Sequence, residues 1–179
     1  TNYFEVAKMN YQIRWAKTSD AQALGNLHTT SWLKAYKNII PDNILSQLDP
    51  EKRTEKFKKA IKENKKQTAV LLLNDQVIGF ITLDKNRDQD YDDQTGEIWG
   101  IYLHPDYWHQ GLGSKLIQWG IEELKERGYK KITLWVLKDN KSSRRFYEKN
   151  GFKYDGTEGE IKKGKSIKKV RYLYDLKNE

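Results

Sequence analysis

The sequence predicts one mixed α/β domain, and three observations carry that expectation. Short apolar runs at strand spacing alternate with segments whose apolar residues recur every third or fourth position, as on a helix face. A strand-like run over residues 97–103 passes through a proline turn into Gly111-Leu112-Gly113 and then into a helical pattern. No repeat and no linker interrupts the 179 residues, a length suited to a single core.

The elements follow in order. Residues 1–10 show no pattern beyond the single methionine, Met9, and read as an N-terminal extension to a domain spanning 11–179. Residues 11–17 alternate as a strand, with Ile13 and Trp15 on one face. Thr18, Ser19 and Asp20 offer caps to a helix carrying Ala21, Leu24, Leu27, His28 and Ser31 and running through Trp32 towards Tyr36. Ile39-Ile40-Pro41 breaks that helix, a second begins near Asp42, and Pro50 opens a basic third with Phe57, Ala60 and Ile61. Residues 68–73 and 77–83 are strands joined by a tight hairpin turn at Asn74-Asp75-Gln76. Residues 84–94 form a polar, acidic loop, expected to be mobile and solvated. After the strand at 97–103, Leu116, Ile117, Ile121 and Leu124 line a helix that Gly128 closes. A strand at 131–137 and a helix at 141–149 come next. Strands at 152–156 and 170–176 end the chain, separated by a lysine-rich loop.

Composition removes several function classes. With 33 basic against 25 acidic residues the chain carries +8, but the charge is segregated. Lys162, Lys163, Lys165, Lys168, Lys169 and Arg171 cluster late, whereas Asp84, Asp88, Asp90, Asp92, Asp93 and Glu97 cluster mid-chain. A basic nucleic-acid face has no need of that acidic cluster, and no binding motif accompanies the lysines, so nucleic acid is not an expected partner. Zero cysteines exclude disulfides, thiolate metal ligands and a thiol nucleophile, and fit a cytoplasmic setting. No apolar run reaches membrane-spanning length, so no membrane partner is expected. His28, His104 and His109 lack metal-ligand spacing, and no metal is expected.

The glycine turn holds the candidate chemistry. A helix start leaves its first amides without acceptors, and glycines let an anion come close to them. A dinucleotide-binding turn would place a third glycine where Leu116 stands, and a nucleoside-triphosphate loop would need Gly-Lys-Ser/Thr, which is absent. A plain strand-to-helix turn packed by glycines is the alternative. A second motif, Asn140-Lys-Ser-Ser-Arg-Arg-Phe-Tyr-Glu-Lys-Asn-Gly-Phe152, follows the strand at 131–137. Glycine turn, helix, strand, then Asn and a helix ending Phe-Tyr-x-x-x-Gly-Phe: that order closely resembles the GCN5-related N-acetyltransferase (GNAT) family of acetyl-CoA-dependent acyl transferases. Gly111, Gly113, Asn140, Phe146, Tyr147, Gly151 and Phe152 fill the family's motif positions, and Ser143 stands at its small position. Trp108 departs from the usual Arg or Gln. The resemblance covers residues 11–158 and implies a mostly antiparallel sheet of about seven strands flanked by helices.

The resemblance also implies roles. Acetyl-CoA would lay its pyrophosphate on amides from His109 and Gln110 through Gly111, Leu112, Gly113 and Ser114, and its pantetheine arm along the main chain of Ile101, Tyr102 and Leu103. Asn140, Ser143 and Tyr147 would line the arm, Asn140 doubling as a helix cap. The Leu103 amide would be the oxyanion donor. Tyr147 would protonate the departing thiolate, since a phenol keeps its proton at neutral pH; its alternative is a core tyrosine. Glu97 matches a position where family members carry a catalytic base, and alternation puts it on the face of Trp99 and Ile101. A solvent-facing glutamate is the alternative, and His104 is a second candidate base. Trp32, Tyr36 and His28 would wall the acceptor pocket, unless they only seal helix against sheet. The expected activity is transfer of acetyl from acetyl-CoA to a primary amine of a small molecule or protein, in a chain that could dimerise. The alternative is a non-catalytic acetyl-CoA-binding regulator on the same fold.

Overall fold

The computed structural model describes residues 10–178; most of the expected N-terminal extension lies outside them. Strand β1 is Tyr11–Trp15, helix α1 Ala21–Ala35, helix α2 Asp42–Leu45, and helix α3 Pro50–Glu63. Then come β2 Thr68–Leu73, β3 Gln76–Lys85, β4 Thr95–Leu103, α4 Leu112–Glu126 and β5 Lys131–Leu137. Helix α5 Lys141–Lys149 and strands β6 Lys153–Lys163 and β7 Lys165–Asp175 complete the order. Seven strands make one sheet in the order β1-β2-β3-β4-β5-β7-β6. Every pairing is antiparallel except β4 with β5.

Each face of the sheet is covered, which is why β2 is buried along almost its whole length rather than alternating. On one face Leu112, Leu116, Ile117, Ile121 and Leu124 of α4 meet Ile78, Ile81, Ile98, Leu134 and Tyr172. On the other, Leu24 and Leu27 of α1 and Ile61 of α3 pack on Val70, Leu72 and Phe80. Helix α3 starts where Asp49 accepts from the amides of Glu51 at 2.9 Å and Lys52 at 3.4 Å, with Pro50 in its first turn. Its crossing with α1 depends on Gly25, where a β-carbon would come within 2.3 Å of Thr54 Oγ1.

Three expectations need correction. The lysine-rich stretch is no loop: β6 and β7 are eleven-residue strands meeting at Gly164, which has φ +75°. Near the tip only Ile161 and Ile167 form an apolar pair, because that part is solvated, so it leaves no alternating signal. The acidic loop is anchored instead of free. Arg171, 4% exposed, donates to Asp88 (3.2 Å), to Asp90 (2.7 and 2.6 Å) and to Asp155 (2.6 Å), binding residues 86–94 to the sheet. The third concerns β4. Thr82 pairs with Gly100 but Leu83 pairs with Ile98, so Trp99 is an extra residue, a β-bulge. It reverses the side-chain phase. Ile98 and Ile101, three apart, both serve the α4 face, and Glu97 is turned away from Ile101.

Candidate active site

The parallel pairing of β4 with β5 ends early. Only Thr95–Glu97 face Lys131–Thr133; beyond them the strands diverge. A cavity of about 500 Å³ fills the fork. Its walls come from Trp99–Leu103 of β4, Trp135 and Val136 of β5, the turn and first residues of α4, one side of α5, and Ser31, Lys34, Ala35 and Tyr36 at the end of α1.

One end is built for an anion. His109 and Gly111 hold φ of +62° and +83°, folding the turn so that α4 begins with no side-chain cap. The first intrahelical bond is Lys115 N to Gly111 O at 3.3 Å, which leaves the amides of Leu112, Gly113 and Ser114 without a helical acceptor. Gly113 sits under Phe146, whose ring a β-carbon would approach to 3.3 Å. Arg145 and Lys149, one turn apart on α5, also line the cavity.

The strand supplies the middle. His104 N donates to Ile78 O at 2.7 Å, so alternation along the β3–β4 ladder turns the main-chain groups of Tyr102 towards β3 and those of Ile101 and Leu103 into the fork. The Leu103 carbonyl already accepts from Trp108 Nε1 at 2.7 Å and Ser31 Oγ at 3.4 Å, leaving its amide for the cavity. Here Trp108 braces the turn. Tyr147, 9% exposed, lines the cavity, and its hydroxyl has no hydrogen-bond partner among the described residues. Burial, with the neighbouring Tyr102, pushes its pKa well above that of a free phenol. Asn140 caps α5 by accepting from Ser143 N at 3.2 Å, and both residues line the cavity.

Not every candidate from the sequence arrives here. Glu97 is 1% exposed, accepts from Arg87 at 2.6 Å and from the Arg87 amide at 3.0 Å, and is absent from the cavity wall. It is neither solvent-facing nor near Ile101's side chain; the bulge removed the phase on which its candidacy rested. His104 caps the 105–107 turn by accepting from Asp106 N at 3.2 Å. His28 stands behind the wall among Trp32, Phe57, Phe80 and Tyr102, and burial with the adjacent Arg53 guanidinium lowers its pKa to about 3. Trp32 donates to Tyr102 Oη at 3.0 Å and also stays behind the wall. Of that trio Tyr36 alone lines the cavity, while Gln110 and Leu112 are in the turn but not in its lining. Sequence reasoning missed Lys34, Trp99 and Trp135 in the wall. For Trp135 a signal existed, because alternation opposes it to Leu134 and Val136.

A forked sheet with an uncapped helix start and a buried phenol in one cavity defines the acyl-transferase class that the two sequence motifs indicated. The sequence model described as the acetyltransferase (GNAT) family matches residues 30–152, and the chain belongs to that family. It is 29% identical over 135 residues, 73% of each chain, to the uncharacterized N-acetyltransferase YuaI of Bacillus subtilis. It is 28% identical over 156 residues, 84% of this chain and 93% of the other, to spermidine N(1)-acetyltransferase of Thermoplasma acidophilum. Among solved structures, PaiA N-acetyltransferase of T. acidophilum in complex with coenzyme A aligns with TM-score 0.75 at 23% identity, covering 93% of this chain and 99% of that one. An N-acetyltransferase of Staphylococcus aureus Mu50 aligns at 0.72 and 24%, with coverage of 93% and 99%.

Proposed function

We propose that this chain is an acetyl-CoA-dependent N-acetyltransferase that acetylates a primary amine by direct attack in a ternary complex, within a single domain spanning 11–179. The observation that carries this reading is one cavity shared by the uncapped amides of α4 and the unpartnered hydroxyl of Tyr147. A relative named for spermidine acetylation and a structural neighbour holding coenzyme A support it.

The residues present suit the coenzyme. Amides from 110–114 would donate to a diphosphate at a helix start, and Arg145 and Lys149 add positive charge to the cavity wall. Ile101 and Leu103 offer main-chain groups to an extended arm, beside Asn140 and Ser143. Acetyl-CoA, when bound, supplies the acyl group on a thioester. The Leu103 amide would be the donor to the thioester carbonyl oxygen; a donor of this kind contributes about 3 kcal/mol in other enzymes. Tyr147 keeps its proton far above neutral pH and would be the donor to the departing sulfur, the phenolate then regaining a proton from solvent. Among the described residues no carboxylate lines the cavity, and the acceptor amine would lose its proton to water. The rate should therefore climb with pH towards the acceptor's own pKa.

Calorimetric titration with coenzyme A, followed by mass spectrometry of an amine panel incubated with acetyl-CoA, tests the proposal. Binding together with a mass gain of one acetyl group is the expected result. Binding without transfer to any amine would favour the regulator, and no binding would end the proposal.

A further inference from the structure

The half of the cavity facing away from α4 is surrounded by positive charge. Its wall is Ser31 and Lys34 of α1 and the following Tyr36, with Trp99, Gly100 and Trp135 from the sheet. Lys34 is the charged residue of that wall. Behind it, Arg87 Cζ sits 4.2 Å from the Trp99 ring centroid and Lys169 Nζ 4.1 Å from that of Trp135. The hairpin tip adds Lys163, with Nζ 5.9 Å from the Trp32 ring. Nearby carboxylates are already engaged: Glu97 by Arg87, Asp88 by Trp135 Nε1 at 3.0 Å and by Arg171, and Asp90 by Arg171.

A polycationic amine needs carboxylates or free aromatic faces to replace its hydration. Among the described residues no aspartate or glutamate is found in the lining, and both tryptophan rings already bear a cation of the protein. We propose that the acceptor is a primary amine that also carries a carboxylate, held by Lys34 in the positive field that Lys169 adds behind Trp135, with an apolar body against Trp99 and Trp135. The inference rests on the acetyltransferase reading and narrows its substrate class. Within the acidic stretch at 84–94, Asp88 and Asp90 are engaged by Arg171.

The test uses the full chain with acetyl-CoA and matched acceptors differing only in the carboxylate: γ-aminobutyrate with propylamine, phenylalanine with phenethylamine, tryptophan with tryptamine, and spermidine alongside. The carboxylate-bearing member of at least one pair should have kcat/KM about tenfold or more above its partner, falling with added salt. Lys34→Glu and Lys169→Glu should remove or invert that ratio while the coenzyme A Kd stays within about twofold. Quenching of tryptophan fluorescence in the coenzyme-loaded protein gives the same comparison as binding. Spermidine as the preferred acceptor, or equal behaviour within every pair, overturns the inference and leaves the acetyltransferase reading standing. Failure to bind coenzyme A overturns both.

Discussion

Replacing Arg171 with leucine is the sharpest probe of how the acidic loop is held. The guanidinium is 4% exposed and serves three carboxylates, whose side chains are 22% (Asp88), 60% (Asp90) and 9% (Asp155) exposed. Removing one partner of a buried ion pair costs about 3–5 kcal/mol. Asp90 and in part Asp88 can recover water, so most of the loss falls on Asp155, which keeps the Tyr91 hydroxyl at 3.1 Å, the Thr157 amide at 2.9 Å and the Thr157 side chain. That leaves about 2–3 kcal/mol. Urea unfolding followed by tryptophan fluorescence at pH 7 measures it. The pH dependence has a definite sign. Hydrogen bonding from Arg171 lowers the Asp90 pKa; burial alone would raise that of Asp155, but Arg171 and Thr157 outweigh it and it too is lowered. Carboxylates with lowered folded values stabilise above their unfolded pKa of ~3.9 and lose that contribution as pH falls through the lower folded values. The gap between the native protein and the leucine variant should therefore narrow below about pH 4. A loss under about 1 kcal/mol, or a gap unchanged from pH 7 to 3, would refute the reasoning.

Four further outcomes follow from the site. Tyr147→Phe should lower kcat by about tenfold or more and leave the coenzyme A Kd unchanged, since only the proton donor is lost; stopped assays and calorimetry separate the two. Gly111→Ala forces a β-carbon into φ +83° at a cost of about 1–2 kcal/mol, and should weaken coenzyme binding together with Tm. Glu97→Gln should shift no limb of the pH–rate profile but lower stability by about 1–3 kcal/mol, as expected of a buried partner of Arg87 and not of a base. His28, with its pKa lowered to about 3, stays neutral in the folded chain while the unfolded chain takes up a proton below ~6.5. Stability should accordingly fall by up to about 1.4 kcal/mol per pH unit from there down, and the imidazole NMR shifts should stay flat above pH ~4.

Most of the framework was legible in the sequence, because apolar period reports directly on buried faces. Helix α4 and strands β2 and β5 fall where Leu116–Leu124, 68–73 and 131–137 placed them. What escaped depends on pairings between distant segments. The Trp99 bulge is a single residue without a partner, visible only when β3 is laid beside β4. One such residue moved Glu97 from candidate base to buried ion pair. The charge match of Arg171 to Asp88 and Asp90 spans more than eighty positions, so each half looked like ordinary surface charge. The solvated end of the β6–β7 hairpin has little apolar rhythm to read. In the site, the glycine turn and Tyr147 were legible through their motifs. The second wall was not, since Lys34 and Trp135 come from elements with no signature of their own.

A crystal structure with coenzyme A bound is the most direct test of the central claim. The diphosphate should lie on the amides of 110–114, with the sulfur within hydrogen-bonding reach of the Tyr147 hydroxyl. Coenzyme held elsewhere, or a fork closed against it, would contradict the claim.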